Sequence, residues 1–285
     1  QSGITWELNE AVASQCGYTV TYSHGSNIEF RASALSCHSH LEKDVFTVTL
    51  QIKASHTPDM NNAATYLKSA SCYRGPWSPR ELVCESNYME VSVRKEVPQT
   101  LKDLIQHEPE DWTLAFPEAE AGEASIWQIV FHQPEEKKAL LVSDAWSAGY
   151  GLSTTDTRVL LRIPYAAAQI QLVEAQGITF FAVRSSIFYK QRWMILMVDT
   201  AVACPVDDVD YANKTIIWTV PKYIQPLSAG ATGFKDVLVE AGVDLHKLSL
   251  EEMASRKYVL SNDLNAITMK IPIGAEGGYY KVSVT

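Results

Sequence analysis

Apolar and polar residues alternate with a period of two along much of this chain. Tyr18, Val20 and Tyr22 are separated by Thr19 and Thr21, and Phe46, Val48, Leu50 and Ile52 by Thr47, Thr49 and Gln51. Met89, Val91 and Val93 alternate with Glu90 and Ser92, and the rhythm returns at Trp127, Ile129 and Phe131 and at Ile216, Trp218 and Val220. β-Branched and aromatic side chains on one face, with polar ones on the other, predict strands that are packed on one side and wet on the other. Helical spacing is scarce. Leu101, Leu104 and Ile105 allow one short helix, and the segment from Leu250 to Leu260 another. The pattern predicts an all-β protein.

A repeat runs through the alternation. Leu152-Ser153 ahead of Val159, Leu161, Arg162, Ile163 and Pro164 is matched by Leu260-Ser261 ahead of Ile267, Met269, Lys270, Ile271 and Pro272, each pair 108 residues apart. Phe46 to Ile52 is a looser third copy, with Ile52 lying 111 residues before Ile163. Copies at this spacing predict three tandem immunoglobulin-like β-sandwiches of about 100 residues each. Boundaries are expected after the strands at Met89–Val93 and Trp193–Val198, so that the domains are residues 1–95, 96–199 and 200–285. Less chain follows Pro272 than follows Pro164, and the third copy is expected to be incomplete.

Composition narrows the class. The 285 residues are 46% hydrophobic and 20% charged, enough to fill packed cores and too apolar for disorder. A net charge of −9 argues against nucleic acid and anionic membrane surfaces as partners. No apolar run approaches the roughly 20 residues of a spanning helix. The chain opens at Gln1 without a signal peptide, as expected of a processed secreted chain or a fragment of one. Cys16, Cys37, Cys72 and Cys84 crowd into the first domain, while Cys204 stands apart. That crowding predicts a disulfide-stapled extracellular β-domain, with three connectivities open.

Candidate chemistry is sparse. Asn213-Lys214-Thr215 is an N-glycosylation sequon placed just before a strand. Cys37-His38-Ser39-His40 has metal-ligand residue types, but Cys37 is expected in a disulfide and no carboxylate adjoins the pair, so no metal or other cofactor is expected. There is no nucleophile elbow, zincin motif or phosphate loop, and no enzyme is expected. The acidic, alanine-rich run Leu114, Ala115, Phe116, Pro117, Glu118, Ala119, Glu120, continuing to Glu123, lacks periodicity and is expected to be an exposed, nickable loop. Tyr66, Tyr73 and Trp77 fit two roles, an aromatic surface for a protein partner or the closing layer of the first sandwich.

The segment Cys84-Glu-Ser-Asn-Tyr-Met-Glu-Val-Ser-Val93 resembles the end of the first ZP-N domain of zona pellucida egg-coat glycoproteins, most closely the multi-repeat subunits of the ZPAX type. Ala203-Cys204-Pro-Val-Asp207 with Ile217-Trp218-Thr-Val-Pro221 resembles the opening of a later repeat, and Trp146-Ser-Ala-Gly-Tyr150 with Ile163-Pro164-Tyr165 the middle one. The resemblance implies ZP-N sandwiches with Cys16 bridged to Cys84 and Cys37 to Cys72. The second repeat departs from the four-cysteine pattern by having none, and Cys204 is expected to be unpaired within this chain. It also implies a structural subunit of the secreted egg coat. Its partners would be other coat subunits, its own copies and sperm surface proteins. The 114–120 loop lies where related subunits are cut by an astacin-type protease after fertilisation. The alternative is an immunoglobulin-like adhesion or receptor ectodomain, for which Cys16–Cys37 with Cys72–Cys84 would be the expected pairing.

Overall fold

The structure, a computed structural model, describes residues 8–23, 27–55, 57, 59–60, 62–75, 77–95, 125–155, 157–191, 194–207, 209–224, 239–243 and 246–276. These residues are mostly β-strand, as the alternation predicts. They form two compact units, residues 1–168 with 185–200 and residues 169–184 with 201–285.

The first unit opens with helix α1 (Glu10–Cys16), capped by the Asn9 side chain, which accepts from the Val12 N–H at 2.9 Å. Strands β1 (Tyr18–Ser23) and β2 (Asn27–Ala32) form a hairpin. Strands β3 (His40–Glu42), β4 (Val45–Ala54) and β5 (Ala64–Tyr73) make a three-stranded sheet in that order. Strands β6 (Arg80–Cys84) and β7 (Tyr88–Arg94) follow, then β8 (Ser125–His132), β9 (Lys137–Leu141), helix α2 (Val142–Ser147), β10 (Gly151–Thr154) and β11 (Arg158–Pro164).

Strand β7, which the alternation placed at the end of a first domain, pairs along its whole length with β11, from Tyr88 opposite Pro164 to Arg94 opposite Arg158. The sheet runs β10-β11-β7-β6. A division at residue 95 would cut a continuous hydrogen-bonded ladder. Period-two patterning shows that a segment is a strand but not which strand lies beside it. One face of β7 and β11 buries Met89, Val91, Val159, Leu161 and Ile163. The other buries Tyr88, Glu90, Ser92, Arg158, Leu160 and Arg162. Ile129 and Phe131 of β8 and Ile187 and Tyr189 of β13 (Ile178–Gln191) are buried as well. The β8 row meets the segment ahead of β10, where the Phe131 and Tyr150 rings lie 4.9 Å apart.

The second unit holds β12 (Gln171–Ala175), which pairs the first residues of β13, and the end of β14 (Met194–Pro205). Its main sheet combines β15 (Asp210–Ala212), β16 (Thr215–Pro221), β19 (Val259–Asn262) and β20 (Ala266–Pro272) in the order β15-β16-β20-β19. Two short strands, β17 (Gly242–Val243) and β18 (His246–Lys247), precede helix α3 (Leu250–Ser255). Leu248, Met253 and Tyr258 are its buried cluster.

The 108-residue interval extends well beyond the matched letters. Helix α2 spans 142–147 and α3 spans 250–255. Leu152 lies opposite Leu161, and Leu260 opposite Met269. Each helix is followed by a left-handed residue, Gly149 (φ 93°) or Lys257 (φ 58°), and then a buried tyrosine, Tyr150 or Tyr258. The same device occurs a third time, with α1, Gly17 (φ 80°), buried Tyr18 and the β1–β2 hairpin. Each hairpin closes on the same turn, in which the N–H of Ser36, Ala167 or Ala275 donates to the carbonyl of Ser33, Pro164 or Pro272. The strand answering β11 and β20 is therefore β2, and the looser copy at Phe46 to Ile52 is β4, which lies outside the hairpin.

Candidate functional site

Two features of the first unit could carry function, and the buried charges of β7 and β11 position both. Glu90 and Arg162 face each other across the ladder. Arg162 Nε donates to Glu90 Oε2 at 2.7 Å, with the side chains 2% and 5% exposed. The N-terminal segment completes their coordination. Arg162 donates to the carbonyls of Gln15 at 3.3 Å and Leu35 at 2.7 Å, and Ser33 Oγ donates to Glu90 Oε1 at 2.9 Å. Thr19 Oγ1 donates to Asn87 Oδ1, and Asn87 Nδ2 to the Tyr18 carbonyl. A buried ion pair is stable only where its remaining donors and lone pairs find partners, and here most of them come from α1 and the Ser33–Leu35 turn. The charge pair thus docks the N-terminal segment on the outer face of the sheet. Glycine permits the approach. A Cβ on Gly151 would strike the Gln15 carbonyl oxygen, and one on Gly17 would lie 2.6 Å from Arg162 Nε.

The docked segment carries the β3-β4-β5 sheet, with β5 at one end. All ten residues of β5 are exposed, including Tyr66 (53%), Leu67 (73%) and Tyr73 (86%). Tyr66 and Tyr73 are an odd number of residues apart and occupy opposite faces of the strand. Trp77 is separate again. It stacks on Phe46 with centroids 5.8 Å apart, and the guanidinium of Arg158 lies 5.1 Å from its ring. The three aromatics therefore do not form one patch. Tyr66 and Tyr73 line the free strand, and Trp77 packs against the body of the unit.

The cysteines also depart from expectation. Cys16 is bonded to Cys37, with Cα atoms 4.9 Å apart, where the end of α1 meets the turn after β2 and the Cys37 N–H donates to the Cys16 carbonyl. Cys72 lies opposite Phe46 on the exposed strand and is a free thiol. The bridges Cys16–Cys84 and Cys37–Cys72 are consequently absent, and so is Cys72–Cys84. Cys84 is disulfide-bonded. Cys204, expected to be unpaired, is disulfide-bonded and fully buried. A count of cysteines taken domain by domain holds no information about which of them meet in space.

Asn213 and Lys214 are the two central residues of the β15–β16 hairpin, both with positive φ, and Asn213 is exposed. The 114–120 segment and the helix expected near Leu101 lie outside the described residues. His38 Nδ1 hydrogen-bonds the Tyr18 hydroxyl at 3.0 Å, and no group of metal-ligating side chains forms among the described residues. A serine, a histidine and an aspartate do meet, unforeseen in the sequence because they come from three strands. Ser186 Oγ donates to Asp199 Oδ1 at 2.6 Å and lies 2.7 Å from His132 Nε2. The order is wrong for nucleophilic catalysis. With the Ser186 hydroxyl donating to Asp199, Nε2 of His132 is the donor to Ser186 Oγ, so the ring nitrogen facing the serine has no lone pair with which to take its proton.

Elsewhere, burial pushes the Tyr88 phenol well above its ordinary value, and burial also raises the Glu85 carboxyl against the opposing pull of Arg31, 3.3 Å away. No helix among the described residues is long and apolar enough to cross a membrane.

Residues 71–209 match the protein-family model described as zona pellucida sperm-binding protein 2, Ig-like domain. The match begins within β5, takes in the whole β10-β11-β7-β6 sheet and ends ahead of β15. No curated protein matches the chain.

Proposed function

We propose that this chain, whose residues 71–209 match a zona pellucida Ig-like domain, is a structural protein of the extracellular egg coat and that it assembles through strand β5. The carrying observation is the exposure of that strand at all ten positions. An end strand offers a row of backbone donors and acceptors to any incoming strand, while side chains on alternate faces set the selectivity. Natural proteins commonly blunt such edges with charge or proline. Here Lys68 is the one charged residue in Ala64–Tyr73, and the strand contains no proline. The occupant is a strand of another egg-coat subunit or of a second copy of this chain.

Three finer roles belong to the same proposal. The Asn213 side chain carries an N-glycan, supported by its place at an exposed hairpin tip. The 114–120 segment is cut by an astacin-type protease, supported by its acidic, aperiodic composition. Sperm surface proteins are partners of the exposed strand, a reading suggested by the name of the matched family.

Leu67→Lys with Cys72→Ser tests the assembly role, the second change excluding a disulfide link. Sedimentation velocity on the full chain, alone and mixed with coat subunits, should show complexes for Cys72→Ser that disappear in the double variant at unchanged melting temperature. Equal association of the two proteins would remove β5 from the account. Peptide N-glycosidase treatment with mass spectrometry reads Asn213, and terminal sequencing after protease digestion reads the 114–120 segment.

A further inference from the structure

A cavity of about 380 Å³ opens where the N-terminal segment meets β10 and β11, and we propose that it binds the anionic end of an acidic saccharide, one bearing a carboxylate or a sulfate. Its lining combines guanidinium groups, indoles and hydroxyls in an otherwise acidic protein. Arg74, Arg158 and Arg162 contribute to the wall, and no Asp or Glu does so among the described residues. Arg162 is committed to Glu90, whereas Arg158 has no carboxylate in direct ion-pair contact among the described residues. It is 3% exposed, and it donates only to neutral oxygens, the Ser92 hydroxyl at 3.0 Å and the carbonyls of Ser92 at 2.7 Å, Ser78 at 3.0 Å and Pro79 at 3.4 Å. Those four bonds leave one Nη1–H of the guanidinium free, and an anion would supply a direct counter-charge. Burial holds its pKa down, and of the neighbouring charges Glu81 opposes that shift while Arg94 and Arg74 add to it.

An unpartnered hydroxyl belongs to a residue of the same wall. Ser36 lines the cavity at 5% exposure, and its Oγ is the one buried side-chain polar atom without a hydrogen-bond partner among the described residues. An unmade bond of that kind costs free energy and calls for an explanation. Ser39, Ser153 and Thr155 add further hydroxyls to the wall, and Trp146, 38% exposed, adds an accessible indole. Hydroxyls that both donate and accept, beside an aromatic face, suit a sugar ring better than an acidic peptide. The volume falls in the range of about 300–1,000 Å³ usual for small-molecule sites, enough for a terminal sugar and its neighbour.

Calorimetric titration of the full chain with sialyllactose, sulfated lactose, unmodified lactose and hexaglutamate tests the assignment. At least one acidic sugar should bind, and lactose should bind at least about tenfold more weakly. The stronger of the two acidic sugars identifies the anion as carboxylate or sulfate. Arg74→Gln, at a half-exposed side chain whose nearest carboxylate is Asp44 at 3.9 Å, should weaken binding about tenfold at unchanged melting temperature. Ser36→Ala should weaken the sugar several-fold while leaving the free protein as stable as before or more so, because a ligand-binding orphan is removed and no structural bond is lost. Equal affinity for lactose, no binding of either acidic sugar at about 10 mM, preference for hexaglutamate, or an affinity indifferent to both substitutions would each overturn the proposal.

Discussion

Strands β11 and β20 are one pattern written twice, and they meet different fates. Their sheets share a strand order, β6-β7-β11-β10 against β15-β16-β20-β19, and the cross-strand register of the repeat is identical. In the first sheet Arg162 is buried against Glu90. In the second, the corresponding Lys270 is exposed and lies opposite Ile217. Leu161 is 1% exposed opposite fully buried Val91, whereas Met269 is only partly buried opposite Trp218, which is 51% exposed. Gly151, against which the Gln15 carbonyl is packed, is answered by Val259, 53% exposed. Alternation makes a strand. The layer laid over it decides whether a basic residue on its outer face becomes a solvated charge or a buried anchor.

The largest test of that contrast is the anchor itself. Glu90→Ala or Arg162→Met should each cost about 3–5 kcal/mol by leaving a buried charge unpaired, as read from urea unfolding midpoints. Lys270→Met should stay within about 0.5 kcal/mol. Equal costs for Arg162 and Lys270 would break the comparison. Cys37→Ser should follow at about 3 kcal/mol, the chain-entropy expectation for a bridge spanning 21 residues, whereas Cys72→Ser, at an exposed thiol, should be nearly silent.

Gly151→Val should cost about 1–3 kcal/mol and, more diagnostically, strip hydrogen-exchange protection from α1. Val259→Gly should leave the protection of α3 in place. At the helix starts, Ser249 caps α3 in a reciprocal box with Glu252, while Leu141, at the same place before α2, supplies no cap. Ser249→Ala should therefore cost about 1 kcal/mol, and Leu141→Ser should move stability the other way by no more than that.

The smallest effect is a pH dependence. Glu85 has its carboxyl raised by burial, so the folded state holds that proton more tightly than the unfolded chain does. Its contribution favours folding below the ordinary carboxylate range and is lost as pH rises through the raised value. Glu85→Gln should gain melting temperature over the parent protein progressively between about pH 4 and pH 7, by well under about 1 kcal/mol given the exposure of Arg31.

Much of this was legible before any coordinates. The β class, the repeat shared by residues 152–164 and 260–272, the short helix after Leu250 and the zona pellucida resemblance all rest on local spacing, and local spacing survives folding. The cysteine pairing did not survive it. The pairing carried over from the family placed Cys37 with Cys72, yet Cys37 sits beside the end of α1 while Cys72 stands on a strand exposed along its whole length. The threefold helix–tyrosine device could have been found from Gly17-Tyr18 and Gly149-Tyr150, but Lys257 stands where the third glycine would be and hides it.

By itself, then, the sequence determined which segments are strands, which faces of them are apolar and where the chain turns. Those choices depend on backbone sterics and on residues two to four positions apart. Only the tertiary structure decided that β7 lies beside β11, that Glu90 meets Arg162 and that β5 is left open at a sheet end. Strand partners are chosen by long-range burial, and many partners fit the same alternating face equally well until the layers close over it.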